Sequence, residues 1–228
     1  MTMQPDSNQR VRHGTRRYRQ APAPVHFPAS EPMTEDKAHF SNRVVLYDCL
    51  HTNFAENACV GSSQFVYWDA SDPRVCAAPD VFVRIGMSDY NFRIWKVWEH
   101  GAPQLAVEIA SQDDRSSRVR ATKLDRYRRL GVEELVWFDA DDHEQPIRIW
   151  DRVDGDFVER SLDSPRVAEC GPLSLFWTVV DDPSWGPFLR LSRDAEGNDL
   201  VPTAAESAER ERDALLQRVR ELEAKSQR

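Results

Sequence analysis

Cysteine is scarce in this chain, and the four present, Cys49, Cys59, Cys76 and Cys170, form no CxxC pair and no Cys/His zinc spacing. That excludes a zinc finger or ribbon and predicts reduced, mostly buried thiols of a cytoplasmic protein. Long apolar runs are missing too. No stretch approaches the ~20 residues that cross a bilayer, and the N-terminus has no apolar signal core. Positive charge is also short, with 30 Lys and Arg against 38 Asp and Glu and a net charge of −8. A surface that binds nucleic acid over its whole extent is thereby disfavoured, and any basic strip must be sought segment by segment.

Apolar side chains, by contrast, are plentiful. They make up 40% of the 228 residues, with seven tryptophans among them. That is enough core for one domain of ordinary size with appendages, and it excludes general disorder. Residues 1–30 set Arg10, Arg12, Arg16, Arg17 and Arg19 against the single acid Asp6. A basic arm that cannot bury a core is therefore expected over 1–31. From Thr34 to about Phe54 the apolar spacing predicts a helix, capped by Thr34, with one buried stripe of Phe40, Val44, Tyr47, Leu50 and Phe54. His39 lies near the edge of that stripe. Strands are expected over Gln64–Trp68 and Val81–Ile85, and a packed loop or short hairpin over Met87–Pro103.

The chemistry concentrates between Ala78 and Asp139. Pro79 cannot donate to a strand ladder, so it marks the entrance of the Val81–Ile85 strand and puts Asp80 there. Alternation over Leu105–Ala110 sets Leu105, Val107 and Ile109 on one face and Ala106, Glu108 and Ala110 on the other. A carboxylate between two alanines has room for an approaching group, and buried in so apolar a strand it requires a cationic partner. A helix over Arg115–Leu130, ended by Gly131, packs Leu124, Tyr127 and Leu130 inward. Lys123 falls close to that side, where its amine can reach a cleft. The same helix carries Arg115, Arg118, Arg120 and Arg126, the local basic strip that the overall charge conceals and a candidate nucleic-acid contact. Glu134–Phe138 is a following strand reached by a crossover, and Asp154-Gly155 marks a hairpin. The segment 161–202 holds short strands. Over 203–228 a charged helix has a thin seam of Ala208, Leu215, Val219 and Leu222, which suggests a coiled coil and a homodimer.

Two carboxylates and an ammonium are the minimal set for binding Mg²⁺ or Mn²⁺ with a phosphate and for hydrolysing a phosphodiester. By spacing alone this is a weak signal, and a structural ion-pair group is the more common reading of Asp80, Glu108 and Lys123. The words PDVFV, WKVWE, VEIAS and a helical K-x-x-x-Y-x-x-x-GV-x-E, followed by an apolar strand ending in Asp139, resemble the Uma-two family. That family is catalogued as putative restriction endonucleases of the PD-(D/E)XK superfamily. The resemblance runs over roughly residues 32–210. It implies an α/β fold with a mixed, restriction-endonuclease-like central sheet flanked by helices, here a nuclease domain over 32–202 with a C-terminal helical tail. It also implies a Mg²⁺- or Mn²⁺-dependent endonuclease acting on DNA. Carried onto this chain, it makes Asp80 and Glu108 metal ligands and catalytic residues, Lys123 the catalytic lysine, and Gln64 and Ser111 supporting residues. A strand-borne lysine would stand at Ala110, so Lys123 must supply that charge. Between Ser111 and Lys123 the chain departs from the family pattern. Members usually have a Ser-x-Ser-Thr run and an acid before the helix; here Gln112, Asp113 and Asp114 precede basic residues, with one residue more. The helix near His39 also has no glutamate at the matching place. The alternative reading is therefore a catalytically degenerate scaffold that binds nucleic acid or oligomerises. A hydrolase for another phosphate ester is a third.

Overall fold

The computed structural model describes residues 25–28, 36–111, 114 and 116–226. The arm expected over 1–31 lies outside them except for 25–28, and Thr34 and Arg115 lie outside them as well. Helix α1 (Lys37–Phe54) is capped by Asp36, whose Oδ1 accepts the His39 N–H at 2.8 Å. Strand β1 (Ala58–Gly61) follows. The chain then makes the two-residue strands β2 (Val66–Tyr67) and β3 (Cys76–Ala77), β4 (Val81–Ile85), β5 (Trp95–Lys96) and the single-turn helix α2 (Val97–His100). Strand β6 (Leu105–Ile109), helix α3 (Ser117–Leu130) and strand β7 (Glu134–Phe138) form the crossover, and β8 (Ile147–Val153) and β9 (Asp156–Glu159) the hairpin. Strands β10 (Val167–Cys170), β11 (Leu175–Asp182) and β12 (Gly186–Ser192) precede the C-terminal helix α4 (Ala204–Ser226).

Six strands in the order β1-β4-β6-β7-β8-β9 make a mixed central sheet, in which only β6 and β7 run parallel. A parallel pair needs a long connection, and α3 is that connection. Gly131 ends α3 with φ of 96°, and its N–H donates to the Tyr127 carbonyl. Asp154 and Gly155 take positive φ, 51° and 88°, as a two-residue hairpin of matched twist requires. The alternation read along β6 holds. Leu105, Val107 and Ile109 join the core beneath α1 and the β10-β11-β12 sheet, together with Leu46, Leu50, Trp177 and Leu191. Ala106 faces the other layer, with Phe82, Trp95, Tyr127, Leu130 and Trp137.

The stripe expected on α1 is corrected in part by the structure: Leu50 is buried and Tyr47 and Phe54 pack against the core as expected. Phe40 and Val44 are 50% and 42% exposed, and the buried positions are His39, Asn42, Leu46, Cys49 and Leu50. The helix is turned by polar anchors that periodicity counts as surface. Asn42 donates to the Pro187 carbonyl at 3.1 Å and accepts the Leu189 N–H at 3.1 Å, while Asn53 donates to the Pro202 carbonyl at 2.7 Å. Buried backbone groups at an irregular edge need such partners, and these amides supply them.

Glu134, at the start of β7, is a buried acid with a structural task. Its carboxylate accepts from Arg160 at 2.8 Å, from the Gly171 N–H at 3.1 Å and from Trp177 Nε1 at 3.0 Å. It thereby pins the β10–β12 sheet to the central one, at the far end of β7 from Phe138. Gly61 stands opposite Phe82 in the β1–β4 ladder, and a Cβ there would lie 2.1 Å from Phe82 Cζ, in collision with the edge of the ring. Gly61→Ala should therefore cost about 2 kcal/mol through forced repacking and lower the melting temperature by roughly 4–8 °C. A thermal melt checks this, and an unchanged midpoint would show that the ring has room to move. Among the described residues no helix is long and apolar enough to cross a membrane.

Candidate active site

The β4–β6 ladder stops at Val81 opposite Val107, which leaves the Ile109 N–H beyond the last strand pair. Asp80 completes it: its Oδ2 accepts the Ile109 N–H at 2.7 Å. The same oxygen lies 3.3 Å from His39 Nε2 on α1. Behind it, the Ser62 hydroxyl donates to the Asp80 carbonyl at 2.9 Å, and Gln64 Oε1 accepts the Ser62 N–H at 2.6 Å. Gln64 thus shapes the loop behind Asp80 and reaches neither carboxylate.

Glu108, one residue before Ile109, is 4% exposed. Lys123 Nζ donates to its Oε2 at 2.7 Å, and the Tyr127 hydroxyl donates to its Oε1. Lys123 and Tyr127 are four residues apart on α3 and so share one face above β6. The ammonium also contacts Asp114 Oδ1 at 2.8 Å and stands 5.6 Å from the Trp137 ring centre. Asp114 is fixed in turn by Ser111, whose N–H and hydroxyl both donate to Asp114 Oδ2, at 3.0 and 2.8 Å. The structure therefore brings Asp80, Glu108 and Lys123 to one site and adds His39, Tyr127 and Asp114. Ser111 enters only through Asp114. Periodicity gives Tyr127 a packing role alone, yet a buried hydroxyl needs a polar partner, and its spacing from Lys123 points to one.

Three buried acids are thus gathered here: Glu108 and Asp114 share the Lys123 ammonium, and Asp80 meets His39 and the Ile109 N–H. Burial pushes the Glu108 carboxyl up to about 7; Lys123 works against the rise and Asp80 adds to it. Burial also opposes the charge on Lys123, but Glu108 and Asp114 outweigh it and hold the ammonium well above its ordinary value. Asp114 ends below the usual carboxylate range, because its bonds to Lys123 and Ser111 overcome its own burial. Tyr127 is held well above the usual phenol by burial and by the adjacent Glu108. Glu108 grips its proton first because it is buried and second because Asp80 is near, and Lys123 grips its proton because two carboxylates face it, so that acids are in excess over cations in the group.

That excess is the fit test for a cation. Among the described residues no set of three or more His, Cys, Asp or Glu side chains is placed to hold a metal together. A closed zinc site is not what this donor set makes. Two carboxylates, repelling one another in a buried place, are the share a protein gives to Mg²⁺ or Mn²⁺ when water and a phosphate fill the rest. Asp80 and Glu108 fit that requirement.

Residues 30–175, more than half of the chain, match the model of the Uma2 family, described as putative restriction endonucleases. The chain belongs to the Uma2 family. The matched span takes in Asp80, Glu108, Asp114, Lys123 and Tyr127 and stops before β12 and α4. Among solved structures, this Uma2 chain is similar to a putative nuclease from Anabaena variabilis ATCC 29413. The two are 16% identical, with a TM-score of 0.43 over 68% of this chain and 76% of that one. No curated protein matches the sequence. Of the basic strip, Arg118 and Arg126 are exposed on α3 and Arg120 is half-buried, while Arg115 lies outside the described residues.

Proposed function

We propose that this Uma2 protein is a cytoplasmic, divalent-metal-dependent endonuclease that hydrolyses DNA phosphodiester bonds. The observation that carries the reading is the convergence of buried Asp80 and Glu108 with Lys123 held 2.7 Å from Glu108. Asp80 and Glu108 would hold a Mg²⁺ or Mn²⁺ ion, which when bound polarises a phosphoryl oxygen and lowers the pKa of a bound water. The protein's own groups do the rest. Ile109 fixes Asp80, and Tyr127 orients Glu108. Ser111 and Asp114 hold the Lys123 ammonium, whose charge answers the negative charge that develops on the phosphate. Arg118 and Arg126 supply phosphate contacts along the exposed side of α3, Arg120 stands half-buried beside its packed face, and Arg115 belongs with them by sequence. The nuclease unit spans 32–202, with 1–31 as a basic arm and 203–228 as a helix that pairs with a second copy.

Supercoiled plasmid should be nicked or linearised in Mg²⁺ or Mn²⁺ and stay intact in EDTA. One observation favours the degenerate reading: Lys123 spans Glu108 and Asp114 and so satisfies both acids without any cation. Plasmid that remains intact with every divalent ion, yet is retarded by the protein in a gel, would move the assignment to a nucleic-acid-binding scaffold.

A further inference from the structure

Helix α4 is bolted to the core at its first turn only. Thr203 and Glu206 form a capping box, with Thr203 Oγ1 accepting the Glu206 N–H at 3.2 Å and Glu206 accepting the Thr203 N–H at 2.8 Å. Glu206 also takes two bonds from the buried Arg190, at 3.1 and 2.8 Å, and the Ala204 N–H donates to Asp48 on α1 at 2.9 Å. The direction in which the helix leaves the core is thereby set. From 208 to 225 every residue is exposed, including Leu215, Leu216, Val219 and Leu222. At about 1.5 Å per residue this is a rod of some 25 Å. A helix whose large apolar residues all stand in water is marginal by itself and calls for a cover.

The spacing says what covers it. Ala208, Leu215 and Leu222 recur every seven residues as d positions, and Arg212 and Val219 take the a positions, with Leu216 beside the seam. This is the seam of a coiled coil, and the flanking charges select its orientation. In a parallel pair, Arg218 at g faces Glu223 at e of the partner subunit, and the contact occurs twice. In an antiparallel pair Arg218 would meet its own copy and Glu209 would meet Glu223 twice, with Glu211 and Lys225 the favourable match. The single charged a position, Arg212, costs stability but suits two strands better than three or four, because its stem can leave a two-stranded seam. Within one chain Arg218 rests 3.4 Å from the exposed Glu221, a contact weak enough to give way.

We propose that α4 pairs with α4 of a second copy as a parallel two-stranded coil, each Arg218 facing Glu223 of the partner subunit. Because the first turn of α4 is fixed to the core, parallel pairing carries both cores, and both Asp80–Glu108 sites, at one end of the coil. This inference rests on the pairing of 203–228 given under the proposed function and not on the nuclease activity, and its readouts do not use cleavage.

Sedimentation of the full chain over a range of concentrations should show a monomer–dimer equilibrium. R218E or E223R alone should weaken the dimer about tenfold, since two attractions become two repulsions. The double variant R218E/E223R should recover most of that loss. In a Cys76→Ser background, Leu222→Cys should cross-link to itself under oxidation, because like d positions meet only in the parallel arrangement. The α4 positions are all exposed, so the core of each α4 variant should melt as in its own parent, with Cys76→Ser the parent for the Leu222→Cys variant. A monomer at every concentration would overturn the proposal. So would a dimer that R218E does not weaken, or one that the Leu222→Cys variant fails to cross-link.

Discussion

Asp80→Asn and Glu108→Gln should each lower DNA cleavage about a thousandfold or more, close to 4 kcal/mol in the barrier. Both changes keep the size of the side chain and remove its charge. An amide oxygen at position 80 can still accept the Ile109 N–H that Asp80 accepts at 2.7 Å, and one at position 108 can still accept from either Lys123 or Tyr127. The fold should survive, and near neutral pH the variants should melt within a few degrees of the parent. Lost cleavage with retained folding is then the signature of a site that needs two charges. Lys123→Met is a weaker test. It strands Glu108 and Asp114 without their shared counter-ion, and breaking a buried pair on one side can unfold the region and imitate lost chemistry. Metal affinity measured by calorimetry should fall in parallel for both amide variants. Cleavage within tenfold of the parent in both would sink the assignment of Asp80 and Glu108 as the metal-holding pair.

The legible parts of this molecule are those fixed by local rules. Two-residue alternation exposed both faces of β6, Gly131 marked the end of α3, and Asp154-Gly155 marked the β8–β9 turn, each through a backbone constraint that acts within a few residues. Lys123 was legible because an apolar strand with Glu108 in it demands a cation and α3 offered one on the correct side. What escaped depends on partners distant in sequence. Asn42 is buried because Pro187 and Leu189 lie 145 and 147 residues further on, and no periodicity of α1 encodes that. His39 faces Asp80 as a consequence of the same rotation of α1. Asp114 belongs to the loop that departs from the family pattern, and its value lies in one bond to Lys123 across the site, not in its position along the chain. Of the small sheet only β2 was legible, within the strand expected over Gln64–Trp68; its partners β3 and β5 escaped because strands of two residues have no alternation to read.

Metal-free protein should lose stability as pH rises through about 7, and Glu108 is the cause. Its carboxyl titrates near 4.5 when the chain is unfolded and is pushed up to about 7 by burial in the native site. Between those values the folded protein holds a proton that the unfolded chain has released. The stabilisation this gives is fully present below about 4.5 and is lost as pH climbs through 7, with a total on the order of 3 kcal/mol. For a chain of this size that corresponds to roughly 10 °C in melting temperature. Asp114 acts in the opposite sense, since its lowered value gives stability above the ordinary carboxylate range that is lost in acid. A scan from about pH 6 to 8.5 lies above that window and takes in the last part of the Glu108 loss, about 1.4 kcal/mol, which comparison with Glu108→Gln separates from the titration of histidines. Lys123, held above its ordinary value, keeps its charge throughout. A divalent cation competes with the proton for Glu108, so Mg²⁺ should add little stability at about pH 6 and most at about pH 8.5. Glu108→Gln should flatten both the slope with pH and the response to Mg²⁺. Melting curves that are level across this range in EDTA, or that slope equally in Glu108→Gln, would show that Glu108 is already ionised and settled on Lys123. The two-acid site would then have no unmet demand for a cation, and the scaffold reading would gain what the nuclease reading lost.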